Sequence, residues 1–77
     1  MKYKLTPIVQ KVMNVLRRHN FEILRMKGDH IKINKIPPIR RPIILVNVKR
    51  LSNKVRQNLL NEAEKAGVPR EELEKLF

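Results

Sequence analysis

The chain contains neither cysteine nor tryptophan. Without thiols there is no disulfide framework, no thiolate zinc ribbon and no thiol nucleophile, so the fold must stand on packing alone. Aromatic residues make up only 4% of the sequence, as Tyr3, Phe21 and Phe77. Aliphatic side chains therefore have to fill the interior, and a base-stacking platform for single-stranded nucleic acid is not expected. Glycine is confined to Gly28 and Gly67, which leaves no GxGxxG or Walker loop to cradle a nucleotide cofactor. No apolar run approaches the roughly 18 residues of a membrane span, and the N-terminus has no apolar stretch of the secretory kind. A soluble, cytoplasmic protein without membrane contact is expected.

Acids are scarce as well, and unevenly so. Residues 1 to 58 hold 15 Lys and Arg against Glu22 and Asp29, whereas residues 59 to 77 hold three basic residues against five acids, within a net charge of +11. A basic body with a mildly acidic end suits a protein that neutralises phosphates and gains affinity by counterion release. The plain alternative is a solvated surface kept basic for solubility. The cations are spread over several elements and do not line one amphipathic helix, which disfavours a membrane surface. A length of 77 residues with 42% hydrophobic residues allows one domain, spanning 1–77, around one core.

Periodicity divides the chain. Ile8, Val9, Val12, Met13 and Leu16 form one helical stripe between Thr6 and about His19. Thr6 is the expected N-cap, Pro7 the first helical residue and Asn20 a left-handed stop. Phe21 to Lys27 reads as a strand that turns at Gly28-Asp29 into a second, in which Ile31 and Ile33 face one way and His30, Lys32 and Asn34 the other. Three prolines make the stretch from Ile36 to Pro42 a stiff, basic loop. Ile43 to Val48 is the expected third strand, a β-branched run with Ile44, Val46 and Val48 on one side, consistent with a strand largely covered by helices. Ser52 should cap a second long helix whose face is Val55, Leu59, Ala63 and Ala66, with Gly67 as its stop. Pro69 opens a short acidic helix anchored by Leu73 and Leu76. The expected class is α+β: helix, three-stranded antiparallel sheet, helix and a short C-terminal helix, the topology of a double-stranded-RNA-binding domain.

Of the two histidines, His30 is the one placed where a substrate could meet it, on the wet side of its strand beside Lys32 and the Lys27-Gly28 turn. An imidazole can exchange a proton near neutral pH, and neighbouring cations can hold a phosphate. Cleavage of RNA by its own 2′-hydroxyl needs both. A lone histidine at a strand start is nevertheless most often an ordinary surface residue. Asp29 could tune this imidazole or repel a phosphate, yet its simplest task is the turn. His19 should contact the end of the first helix. Lys49, Arg50 and Lys54, with Arg56 a turn further on, surround the start of the second helix as a candidate phosphate site. Arg40, Arg41, Lys27 and Lys32 would extend that surface. No histidine or acid falls at metal-ligand spacing, and no Ser-His-Asp set can be assembled, so no metal or other cofactor is expected.

The run from Phe21 to Lys32, FEILRMKGDHIK, resembles the first hairpin of HicA-family toxins, where an arm ending in Lys-Gly-Ser-His follows a helix and an aromatic residue. The stretches Ile43 to Val48, Leu51 to Leu60 and Ala66-Gly67-Val68 with acids after it are similar to the family's third strand, second helix and ending. This resemblance implies the toxin of a toxin-antitoxin pair: a metal-independent endoribonuclease of mRNA, blocked by a HicB-type antitoxin, which to mask so basic a surface is expected to present an acidic face. It places the family's catalytic histidine on His30 and its turn glycine on Gly28. Asp29 stands where the family usually has Ser, the loop from Pro37 to Pro42 replaces a tight hairpin, and Val46-Asn47-Val48 replaces a Pro-x-His ending. A toxin that binds RNA without cutting it, or a non-catalytic double-stranded-RNA-binding module, is the alternative.

Overall fold

A computed structural model describes residues 4–38 and 40–77. Tyr3 and Ile39 lie outside the described residues. The elements run α1 (Pro7–Arg17), β1 (Phe21–Lys27), β2 (His30–Lys35), β3 (Ile43–Val46), α2 (Asn53–Lys65) and α3 (Arg70–Glu74). The three strands form one antiparallel sheet in the order β1-β2-β3. The expected α+β architecture with its short last helix is thus the observed one.

The helical stripe of α1 buries Val9, Val12, Met13, Val15 and Leu16. This stripe lies on β1, while α2 lies on β3 and α3 touches both helices. Phe21, Ile31, Ile33, Ile43 and Leu45 close the same core from the sheet side. Burial of these aliphatic groups supplies the driving force, at ~25 cal/mol for each Å² of apolar surface removed from water. The helix ends match their chemistry. Asn20 takes a φ of 68° and Gly67 one of 97°, both left-handed stops, and the Ser52 hydroxyl accepts the Val55 N–H at 3.3 Å.

Three local expectations are corrected. The third strand ends at Val46 instead of Val48, and its buried side chains are Ile43 and Leu45, while Ile44 is 56% exposed. Every residue from 43 to 46 is apolar, so alternation carries no phase there; the pairs Ile33↔Ile43 and Ile31↔Leu45 with the already oriented β2 set it. Thr6 stands at the N-cap of α1 but forms no side-chain cap. Its hydroxyl instead donates to the Val48 carbonyl at 2.8 Å, and its N–H donates to Asn47 Oδ1 at 3.0 Å. His19 does not serve its own helix end: its Nε2 meets Glu72 Oε2 at 2.9 Å and joins the end of α1 to α3.

β1 carries a bulge. The register passes from Ile23↔Ile33 to Arg25↔Lys32, leaving Leu24 unpaired and 51% exposed. This extra residue switches parity along the strand, so Phe21, Ile23 and Met26 all lie on the core side while Arg25 and Lys27 lie on the other. Lys35 shares the core side with Phe21, its partner across the pair. Its ammonium reaches past the Phe21 ring, 5.7 Å from the centroid, and donates to the Ala66 carbonyl at the end of α2 at 2.6 Å.

Candidate nucleic-acid interface

All helices lie on one face of the sheet; on the other His30 and Lys32 are exposed and leave that end of the face open, whereas Asn34, expected on the same wet side, is buried with 6% exposure. The turn at Gly28-Asp29 sets the geometry of that face at one end. Gly28 has a φ of 59° and Asp29 does not have a positive φ, as a two-residue hairpin turn with glycine first requires. The Asp29 carbonyl accepts the Asn47 N–H at 2.6 Å. Asn47 in turn donates its side-chain amide to the Lys4 carbonyl at 2.9 Å and accepts from Thr6. The hairpin tip is therefore held to the strand-to-helix link and to the lead-in of α1.

His30 opens β2, the central strand, opposite Lys27 on one side and Val46 on the other. It is exposed, and its ring makes no hydrogen bond or ion pair among the described residues. Lys32, the next outward residue of β2, stands opposite Arg25 and Ile44. Directly paired positions on one face bring Cβ atoms to within about 4.5–5.5 Å. One imidazole and three cations, Lys27, Lys32 and Arg25, thus share the open face, bordered by the apolar Ile44 and Val46. Such a group can hold a phosphodiester and exchange a proton beside it. Arg25 is hidden in the sequence because Phe21 and Ile23 share its parity, although it lies two residues before the outward Lys27.

The remaining cations sit elsewhere. Lys49 and Arg50 are exposed in the bend before α2, and Lys54 is exposed in its first turn. Arg56 does not project freely into solvent. Its guanidinium lies 5.7 Å from the centroid of the Phe77 ring, and its Nε is buried without a hydrogen-bond partner. Lys49, Arg50 and Arg56 line a cleft of about 450 Å³ together with Ile8, Leu51, Leu76 and Phe77. Arg40 and Arg41 stand on the loop side of α2, where Arg41 lines a cavity with Ile44 at the border of the open sheet face. Both also flank a cavity of about 220 Å³ over the second half of α2 with Glu62, Lys65 and Ala66, and Arg41 Nη1 stands 3.9 Å from Glu62 Oε1. Cations that look alike in sequence are therefore divided among the open sheet face, the α2 cleft and the loop side of α2.

Among the described residues no three His, Asp or Glu side chains gather as a metal site, and no helix is long and apolar enough to cross a membrane. No family model, curated protein or solved structure matches the chain.

Proposed function

We propose that the chain is a metal-independent endoribonuclease of the HicA-toxin kind, acting on mRNA, with His30 as the group that moves the proton. The observation that carries this reading is the placement of an exposed, unpartnered imidazole on the central strand of an open, basic sheet face, between Lys27 and the Lys32–Arg25 pair. In this mechanism the cations receive a phosphodiester and stabilise the charge that develops on its non-bridging oxygens. His30 takes the proton of the adjacent 2′-hydroxyl as that oxygen attacks phosphorus, or gives a proton to the 5′-oxygen as its bond to phosphorus breaks, with water making the complementary transfer in either case. The products are a cyclic 2′,3′-phosphate and a free 5′-hydroxyl, and the balance needs no metal. A HicB-type antitoxin would silence the site by laying an acidic face over these cations.

The test is incubation of the purified chain and His30→Ala with total RNA in EDTA. A positioned acid–base group contributes about 10²- to 10⁴-fold, so the wild type gives discrete fragments and the variant retains RNA affinity without cutting. Equal cleavage by both proteins refutes the role of His30.

Two observations favour a second reading, a module that binds RNA without cutting it. Asp29 brings a carboxylate to the same turn, and His19, the other imidazole, is bound to Glu72 away from the sheet. On this reading binding to duplex RNA is strong at low salt, and no RNA yields products whatever residue occupies position 30.

A further inference from the structure

The cleft beside α2 differs in character from the open sheet face. Its walls are the apolar side chains of Ile8, Leu51, Leu76 and Phe77, and its charged side chains are Lys49, Arg50 and Arg56, with no acidic side chain among the lining residues. Phe77 is 36% exposed, and Arg56 stacks on the same ring. The buried, unpartnered Nε of Arg56 is the second observation. A cationic donor withdrawn from water without an acceptor is costly, and the charge of Arg56, which lines the cleft beside Lys49 and Arg50, favours an anionic oxygen there. The cleft, of about 450 Å³, has room beyond a lone phosphate or carboxylate, so an anion with a flat or apolar body attached suits its apolar walls better.

We propose that this cleft is a nucleotide subsite, which receives one unpaired nucleotide of the RNA with its phosphate on Lys49, Arg50 and Arg56 and its base against Phe77 and Leu76. The inference rests on the RNA-binding reading given above and deepens it. Stacking of a base on an aromatic ring tolerates any base, because every base has a π-face. The subsite therefore selects for single-stranded RNA over duplex, whose bases are not free to leave their stack.

The test uses the full chain, isotope-labelled for amide NMR, titrated with adenosine 5′-monophosphate, ribose 5-phosphate and a short peptide of alternating Asp and Leu. The expected result is that the nucleotide shifts the amides of Lys49, Arg50, Arg56, Leu76 and Phe77, and that removing the base weakens binding about fivefold or more. Phe77→Leu shrinks that difference and Arg56→Gln weakens the nucleotide. Equal affinity for nucleotide and ribose 5-phosphate overturns the base pocket. Tighter binding of the peptide in the cleft overturns it in favour of an acidic protein segment. A second measurement, the affinity of a single-stranded oligoribonucleotide, separates the two levels of the argument. RNA bound equally by wild type and Phe77→Leu sinks the subsite and leaves the RNA-binding reading intact, whereas no RNA bound by the wild type removes both.

Discussion

Lys32 and Lys35 lie three residues apart on one strand, yet the sheet gives them opposite surroundings, and replacing each by Met should separate structure from binding. Methionine keeps most of the apolar stem and removes the ammonium. At Lys35 the loss includes a 2.6 Å charge-assisted bond to the Ala66 carbonyl and the contact over the Phe21 ring. The first is worth about 1.5–3 kcal/mol and the second about 0.5–1 kcal/mol. The cation also faces the C-terminal end of α2, a further ~0.3–1 kcal/mol. These contributions overlap, Lys35 is only half-buried, and the methionine recovers some packing, so a net loss of about 2 kcal/mol is expected. For a domain of this size that lowers Tm by roughly 8–16 °C. Lys32 faces solvent on the outer side. Lys32→Met should leave the urea midpoint unchanged and reduce the slope of RNA affinity against salt by about one unit. Urea and thermal unfolding followed by circular dichroism, with RNA titrations at several salt concentrations, read both. A Lys35→Met protein as stable as the wild type, or a Lys32→Met protein that unfolds early, would refute the assignment of the two faces.

Ile43→Ala should cost about 2–5 kcal/mol in denaturant unfolding, as expected for a buried isoleucine truncated to alanine, while Ile44→Ala should leave the midpoint unchanged because Ile44 is largely exposed. A Cβ on Gly28 would meet nothing within 4 Å, so Gly28→Ala should lose only the ~1–3 kcal/mol of positive-φ backbone strain and still fold, as circular dichroism would register. Glu72→Ala removes the 2.9 Å contact with His19; amide exchange should then rise in α3 while the exchange rates of β2 stay as they were.

Much of the fold was legible along the chain, for identifiable reasons. Helical stripes, Ser52 before α2, the two glycines at turns and the outward parity of His30 and Lys32 are local signals, and each survives in the three-dimensional arrangement. What was not legible depends on residues far apart. The uniformly apolar run from Ile43 to Val46 has no phase of its own. The bulge at Leu24, which hides Arg25 among core positions, appears only once β1 is laid against β2. Thr6 prefers Val48 to its own helix, His19 prefers Glu72, and Lys35 finds Ala66; none of these partners lies within reach in sequence. The candidate site divides in the same way. The sheet-face group follows from alternation, while the pairing of Arg56 with Phe77 needs the chain to return from α3 to the start of α2.

The bulge in β1 also governs how the protein meets other chains. β1 and β3 are the outer strands of the sheet, and a straight outer strand invites a foreign strand to extend the ladder. Here one border is kinked at Leu24 and carries Arg25 and Lys27, and the other is four residues long with Pro42 immediately before it. Both borders resist zipper-like growth, and a net charge of +11 drives identical copies apart in solution. A small basic protein with a largely aliphatic interior can thus be made at high concentration without polymerising through its sheet. Whatever engages it is directed onto the faces and clefts, where its charge is displayed.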